Sequence, residues 1–255
     1  MEEILRGFDP ITLDAMSGIR LMNRTDTKFV TTRPMLERLL EMARDDYYAQ
    51  EIDNRRMAAY YTVYFDTVDC AMYTVHETGH TNRQKLRVRS YVDSRLNFLE
   101  VKTKNNHGRT KKKRVAIDDF NPDDSEGFDV QSARFADFLH TNLHYDPLTL
   151  SRQIENRFDR ITLVNKGKTE RLTIDTNLRF HNVATGSDRH MGDIVIIELK
   201  RDGLVASPIL DHLRRLRIKP HGFSKYVIGS ALTNSSLHCN RLKPKLHDIE
   251  KILNL

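Results

Sequence analysis

Cysteine is scarce. Cys70 and Cys239 are the only two in 255 residues, far apart and in no metal-spaced cluster, so a disulfide framework and a thiolate zinc site are not expected. A reduced, cytoplasmic setting is the simplest expectation. No segment approaches the ~20 consecutive apolar residues that a spanning helix needs. Residues 1–13 are acidic where a signal peptide would be basic, so no leader is expected either. The chain has no Gly-x-Gly-x-x-Gly, which argues against a Rossmann nucleotide site. Gly167-Lys168-Thr169 imitates the end of a P-loop, but Thr162 stands where its first glycine belongs. The tripeptide also falls between two strand patterns, so it reads as a hairpin turn. Of the eleven histidines, His76, His80, His140 and His144 read as helix-surface residues, and a zinc site is not expected. No serine or cysteine nucleophile arrangement is recognisable.

What the chain does have is charge. Lys and Arg number 41 against 35 Asp and Glu, a formal net charge of +6, beside a hydrophobic content of 39% that is ample for a core. A basic balance favours anionic partners such as nucleotides, polyphosphate, nucleic acid or acidic lipid, without choosing among them. The charge is also patterned. Side chains alternate between the faces of a strand. In 85–91 (KLRVRSY), Lys85, Arg87, Arg89 and Tyr91 share one face, and Leu86 and Val88 the other. In 98–104, Glu100, Lys102 and Lys104 fall together opposite Leu99 and Val101; in 110–118, Lys112 and Arg114 oppose Val115 and Ile117. Like charges side by side on a sheet repel. A densely anionic ligand, phosphate above all, would relieve them.

Further strands are expected at 24–30, 58–67, 155–164, 170–180 and 193–200. Helices are expected over 9–23, 33–45, 69–79, 129–143, 208–217, 223–233 and 245–253, with a loop over 119–128. No repeat or linker divides the chain, so one domain over 1–255 is expected, its last helix from about 245. Eight or so mostly antiparallel strands with charged faces suggest an α+β fold built on a closed antiparallel β-barrel, a cationic tunnel with helices packed outside. The pattern adds a distributed set: Arg157, Arg171, Glu198, Lys200 and Lys225. Glu198 two residues from Lys200 on an apolar strand suits a site where a carboxylate holds Mg²⁺ or Mn²⁺ and an ammonium contacts phosphate. The basic run 109–114 continues as a strand and lacks stacking aromatics beside it, so nucleic acid is not expected as a partner.

Eight short motifs occur in order: R-x-x-x-K-F-V, YFDT, K-x-R-x-R-x-Y, FLEVK, K-x-R, IDTNLRF, IIELK and FSKYVIG. In that order they resemble the VTC domain, the catalytic module of the vacuolar transporter chaperone complex within the triphosphate tunnel metalloenzyme (CYTH-like) superfamily. The resemblance runs from about Arg24 to Gly229. It implies a tunnel barrel and a polyphosphate polymerase that moves the γ-phosphate of ATP onto a growing chain, with a divalent metal. Lys28, Arg87, Arg89, Lys102, Lys112, Arg157, Arg171, Lys200 and Lys225 would bind phosphates; Glu198, and Glu100 as a second carboxylate, would hold the metal. Arg87, Arg89 and Lys225 would serve the nucleoside triphosphate. A hydrolase acting on triphosphate or polyphosphate in the same tunnel, or a non-catalytic polyphosphate sensor, are the alternatives. The SPX and membrane segments of the eukaryotic module are lacking, which leaves room for a separate membrane partner. Arg24-Thr-Asp-Thr-Lys28 replaces the Glu-x-Glu-x-Lys opening of the adenylate-cyclase and thiamine-triphosphatase branches.

Overall fold

A computed structural model describes residues 1–17, 24–203 and 205–253. Helix α1 (Glu2–Arg6), strand β1 (Asp9–Ile11) and helix α2 (Leu13–Ser17) open the chain. They replace the single helix expected from residue 9, whose end at 18–23 lies outside the described residues. Pro10 is the reason: β1 is a short edge strand, parallel to β3 (Tyr47–Gln50), and an edge accepts a residue that cannot donate.

The main ladder is built from β2 (Arg24–Thr32), β4 (Ala58–Thr67), β5 (Arg83–Tyr91), β6 (Leu96–Lys104), β7 (Thr110–Ile117), β8 (Leu150–Asn165), β9 (Glu170–Asn182) and β11 (Ile194–Asp202). Its order is β2-β11-β9-β8-β4-β5-β6-β7; β3 joins β8, and β10 (Asp188–His190) joins β9, making eleven strands in one sheet. All pairings except β1 with β3 are antiparallel. The Gly167-Lys168 turn joins β8 to β9, with the Lys168 amide donating to the Asn165 carbonyl.

The fold is antiparallel, sheet-rich α+β, but the expected closed barrel is not seen: the ladder stays open between β2 and β7. On β7, Thr110 through Arg114 are all exposed, and a lysine-rich edge resists further pairing. Helices α3 (Arg33–Ala43), α4 (Ala71–Glu77), α5 (Ala136–Asn142), α6 (Pro208–Arg215), α7 (Lys225–Thr233) and α8 (Lys243–Leu253) complete the described elements. The long helix expected over 129–143 shrinks to α5 and one 3-10 turn, because the Asp129 carboxylate accepts from the Gln131 amide in a local turn that competes with helix.

One core cluster packs α3 and α6, through Leu36, Leu39, Leu40, Ile209 and Leu213, onto Val195, Ile197 and Leu199 of β11 and Leu172 and Ile174 of β9. Alternation therefore turns Glu198 and Lys200 to the opposite face. A second cluster joins α4 and α7 to β4, β8 and β9. Most of α7 is buried: a Cβ on Gly229 would come within 2.5 Å of Phe180 and 2.8 Å of Ile154, so glycine lets this helix lie directly on β8 and β9. The Tyr226 hydroxyl donates to buried Asp66, which also accepts from the Met72 and Tyr73 amides at the start of α4. YFDT and FSKYVIG are thus joined to each other.

Candidate functional site

Register places like charges in rows. Lys85, Lys102 and Lys112 stand directly opposite one another across β5, β6 and β7. In the neighbouring row Arg87 faces Glu100, which faces Arg114. At the far end of the ladder Lys28 pairs with Glu198, and Arg171 with Lys200. The two ends are seven strand-widths apart along the ladder; curvature brings their charged faces together.

Lys102 of β6 reports that approach. Its pKa is pushed down to about 8, by the surrounding protein first and then by Arg87, Lys28 and Lys200, with Glu198 opposing. Lys102 nonetheless remains solvent-accessible, as a side chain lining an open groove would. Lys85 is driven well below its usual range by burial and by Lys28, Lys102, Arg83 and Arg87.

Helix α7 ties the groove together at its N-terminus. Lys28 donates to the Phe223 carbonyl at 2.8 Å, Lys85 donates to the Ser224 hydroxyl at 2.8 Å, and Lys225 pairs with Asp175 of β9. Ser224 caps the helix by accepting from the Val227 amide. Three strands from both halves of the ladder thus meet one helix start. Lys225 is lowered to about 7, chiefly by burial; Asp175 resists that shift and Arg160 adds to it.

The carboxylates divide into two kinds. Glu100 is fully buried, its Oε2 taken by Arg87 at 2.6 Å and its Oε1 by Lys112 at 3.0 Å. Burial raises its pKa, but Arg87, Arg89 and Lys112 hold it down to about 2. Asp175 is spoken for in the same way, by Arg160 through both oxygens (2.6 and 2.8 Å) and by Lys225. Glu198 differs: its nearest partner is Lys200 at 3.3 Å. Against burial, Lys28, Lys200, Lys102 and Arg160 hold it ionised, down to about 2.

Of the residues expected from sequence, the structure gathers Lys28, Arg87, Arg89, Lys102, Lys200, Lys225 and Glu198 along this groove. Lys112 and Glu100 sit at its β6–β7 side, and Arg171 lies beside Lys200. Arg89 is buried, lowered by burial and by Arg87 and Arg160. Arg157 is not brought in. It is exposed, lies 4.5 Å from the Tyr61 ring centroid and donates to the Pro122 carbonyl at 2.7 Å. Arg160 takes the inward place, and the alternation rule could have found it: residues three apart on a strand face opposite sides. Simple alternation along β9 would put Arg179 on the face of Asp175, but an irregularity in the β8–β9 register at Asn177, whose φ is +53°, puts it out of phase. Glu100 does not suit a metal, since both oxygens are already engaged.

The chain matches the family model of the VTC domain over residues 23–234, most of its length. It belongs to the VTC domain family. No curated protein matches it. Among solved structures it is similar to HpAC1 from Hippeastrum, a candidate adenylyl cyclase described as having a dominant triphosphatase activity, at 14% identity and a TM-score of 0.52, covering 86% of this chain and 99% of that one. A candidate adenylate cyclase from Bacillus halodurans aligns at 13% identity and a TM-score of 0.49, over 80% and 96% of the two chains. These likenesses concern the fold. No described helix is long and apolar enough to cross a membrane.

Proposed function

We propose that this chain is a polyphosphate polymerase, transferring the γ-phosphate of ATP to a growing polyphosphate chain in the groove beneath the start of α7. The observation that carries the reading is the register row Lys85–Lys102–Lys112 facing Lys28 and Lys200, cations with too few carboxylates among them. Such a surface is stable chiefly when an extended polyanion threads it.

Phosphoryl transfer asks little covalent chemistry of a protein. Lys28, Lys102 and Lys200 would align donor and acceptor phosphates from opposite walls. Arg87 and Arg160, locked by Glu100 and Asp175, would offer fixed N–H groups to the charge spread over the transferred group, without rearranging as it forms. An acceptor phosphate oxygen is already ionised near neutrality, so no strong general base is needed.

A divalent metal fits one place. Magnesium-type ions are commonly held by one or two carboxylates plus substrate phosphates, and Glu198 offers one, its ion-pair partner Lys200 standing off at 3.3 Å. Among the described residues no group of three or more His, Cys, Asp or Glu is arranged for a metal, so the phosphates would supply the remaining ligands. When bound, Mn²⁺ or Mg²⁺ would neutralise phosphate charge next to Glu198.

The test is product analysis after incubation with ATP and Mn²⁺. ADP with long polymer is expected; ADP with free phosphate would make the enzyme a hydrolase, and tight polyphosphate binding without turnover would make it a sensor.

A further inference from the structure

Beside the start of α7 lies a half-open pocket of about 250 Å³, lined by residues of α4, β5, α7 and α8. Its walls include His76, Arg83, Ser224, Arg241 and Lys245, with Glu77 as the one carboxylate. None of these was among the residues expected to carry function.

Its walls carry three cations, Arg83, Arg241 and Lys245, against that one carboxylate. Among the described residues no carboxylate pairs with Arg83, Arg241 or Lys245. The two arginines each rest on a carbonyl instead, Arg83 on His80 at 2.5 Å and Arg241 on Thr78, which fixes each guanidinium while other N–H groups remain for a ligand. Glu77 is committed: its Oε1 accepts from the Arg241 amide at 2.8 Å. His76 Nδ1 is buried with no hydrogen-bond partner among the described residues. Its pKa is held down to about 2, by burial first and then by Lys85, Arg83, Lys245 and Lys28, so the imidazole is neutral and the local field strongly positive. A neutral imidazole still has one N–H to give an anion.

We propose that this cavity is a second anion site, separate from the groove, taking a small multiply charged oxyanion of the phosphate class. Three cations without a carboxylate partner among the described residues and an orphaned buried nitrogen around one pocket are what such an ion requires. The two sites share a wall. Ser224 lines the cavity and accepts from Lys85 of the groove, and the next residue, Lys225, holds Asp175. An ion in the cavity would therefore press on the same helix start that organises the groove.

The experiment is calorimetric titration of the full chain with inorganic diphosphate at pH 7.5. Two binding events are expected. Lys245→Glu, and separately Arg83→Ala in case either variant misfolds, should lose one event at least tenfold in affinity and keep the other. The pair Lys102→Met with Lys200→Met should do the reverse. A single event in the wild type, abolished by the groove pair and untouched by Lys245→Glu and Arg83→Ala, would overturn the cavity site. A single event lost only in the cavity variants would sustain it while removing the groove as a phosphate site, so the two readings fail separately.

Discussion

Asp175→Asn removes the charge on which the rigidity of the groove depends. The carboxylate is 5% exposed and lies between Arg160 and Lys225, themselves only 13% and 11% exposed. Burial alone would raise its pKa, yet those two cations hold it well below the usual carboxylate range. Asparagine keeps the shape but leaves both cations unpaired. Lys225, already lowered to about 7, can respond by losing its proton. Arg160 cannot, because a guanidinium stays charged. Removing one partner of a buried pair costs roughly 3–5 kcal/mol. For a chain of this size each kcal/mol moves the melting midpoint by roughly 2–4 °C, so a fall on the order of 10 °C is expected in thermal unfolding without ligand. Tripolyphosphate should then raise the midpoint more in the variant than in the wild type, since it replaces the missing negative charge; at a hundredfold excess over Kd such linkage is worth about 2.7 kcal/mol. A loss under about 1 kcal/mol, with equal tripolyphosphate shifts in both proteins, would refute the pairing argument.

Other expectations are more local. Lys102→Met should leave stability within about 0.5 kcal/mol, because the side chain is solvent-accessible and repelled by its neighbours, while polyphosphate affinity falls at least tenfold; an unchanged Kd would remove Lys102 from the site. The same variant tests pH dependence. The protonated ammonium binds the anion, so wild-type affinity should drop as pH rises through about 8, and the ratio of wild-type to variant affinity should shrink toward one by pH 9.5. A ratio constant from pH 6.5 to 9.5 would contradict the lowered lysine. Arg157→Ala should leave affinity unchanged and Arg160→Met should reduce it at least tenfold; the opposite ranking would return Arg157 to the groove.

Much of this was legible in the sequence because strand alternation is a local rule. Lys85, Arg87 and Arg89 on one face and Leu86 and Val88 on the other follow from the two-residue period alone, and β4 is bounded where its aromatic and β-branched run begins and ends. What the period cannot carry is pairing between distant strands. That Glu100 is consumed by Arg87 and Lys112, whereas Glu198 is not, depends on which chains lie adjacent. The phase of Arg179 depends on a single residue with positive φ at Asn177. The open ladder, where a closed barrel was expected, depends on how far the sheet curls, and the seat of α7 on β8 and β9 depends on the close approach that Gly229 allows. The charged set was readable; its partners were not.

The central claim is that the groove between the two ends of the ladder holds the phosphate chain. A crystal structure of the protein with tripolyphosphate and Mn²⁺ tests it most directly. The account predicts phosphates lying among Lys28, Lys102 and Lys200, with the metal against Glu198. Phosphates bound only on the outward lysines of β7, Lys111 and Lys113, with the groove free of them, would contradict it.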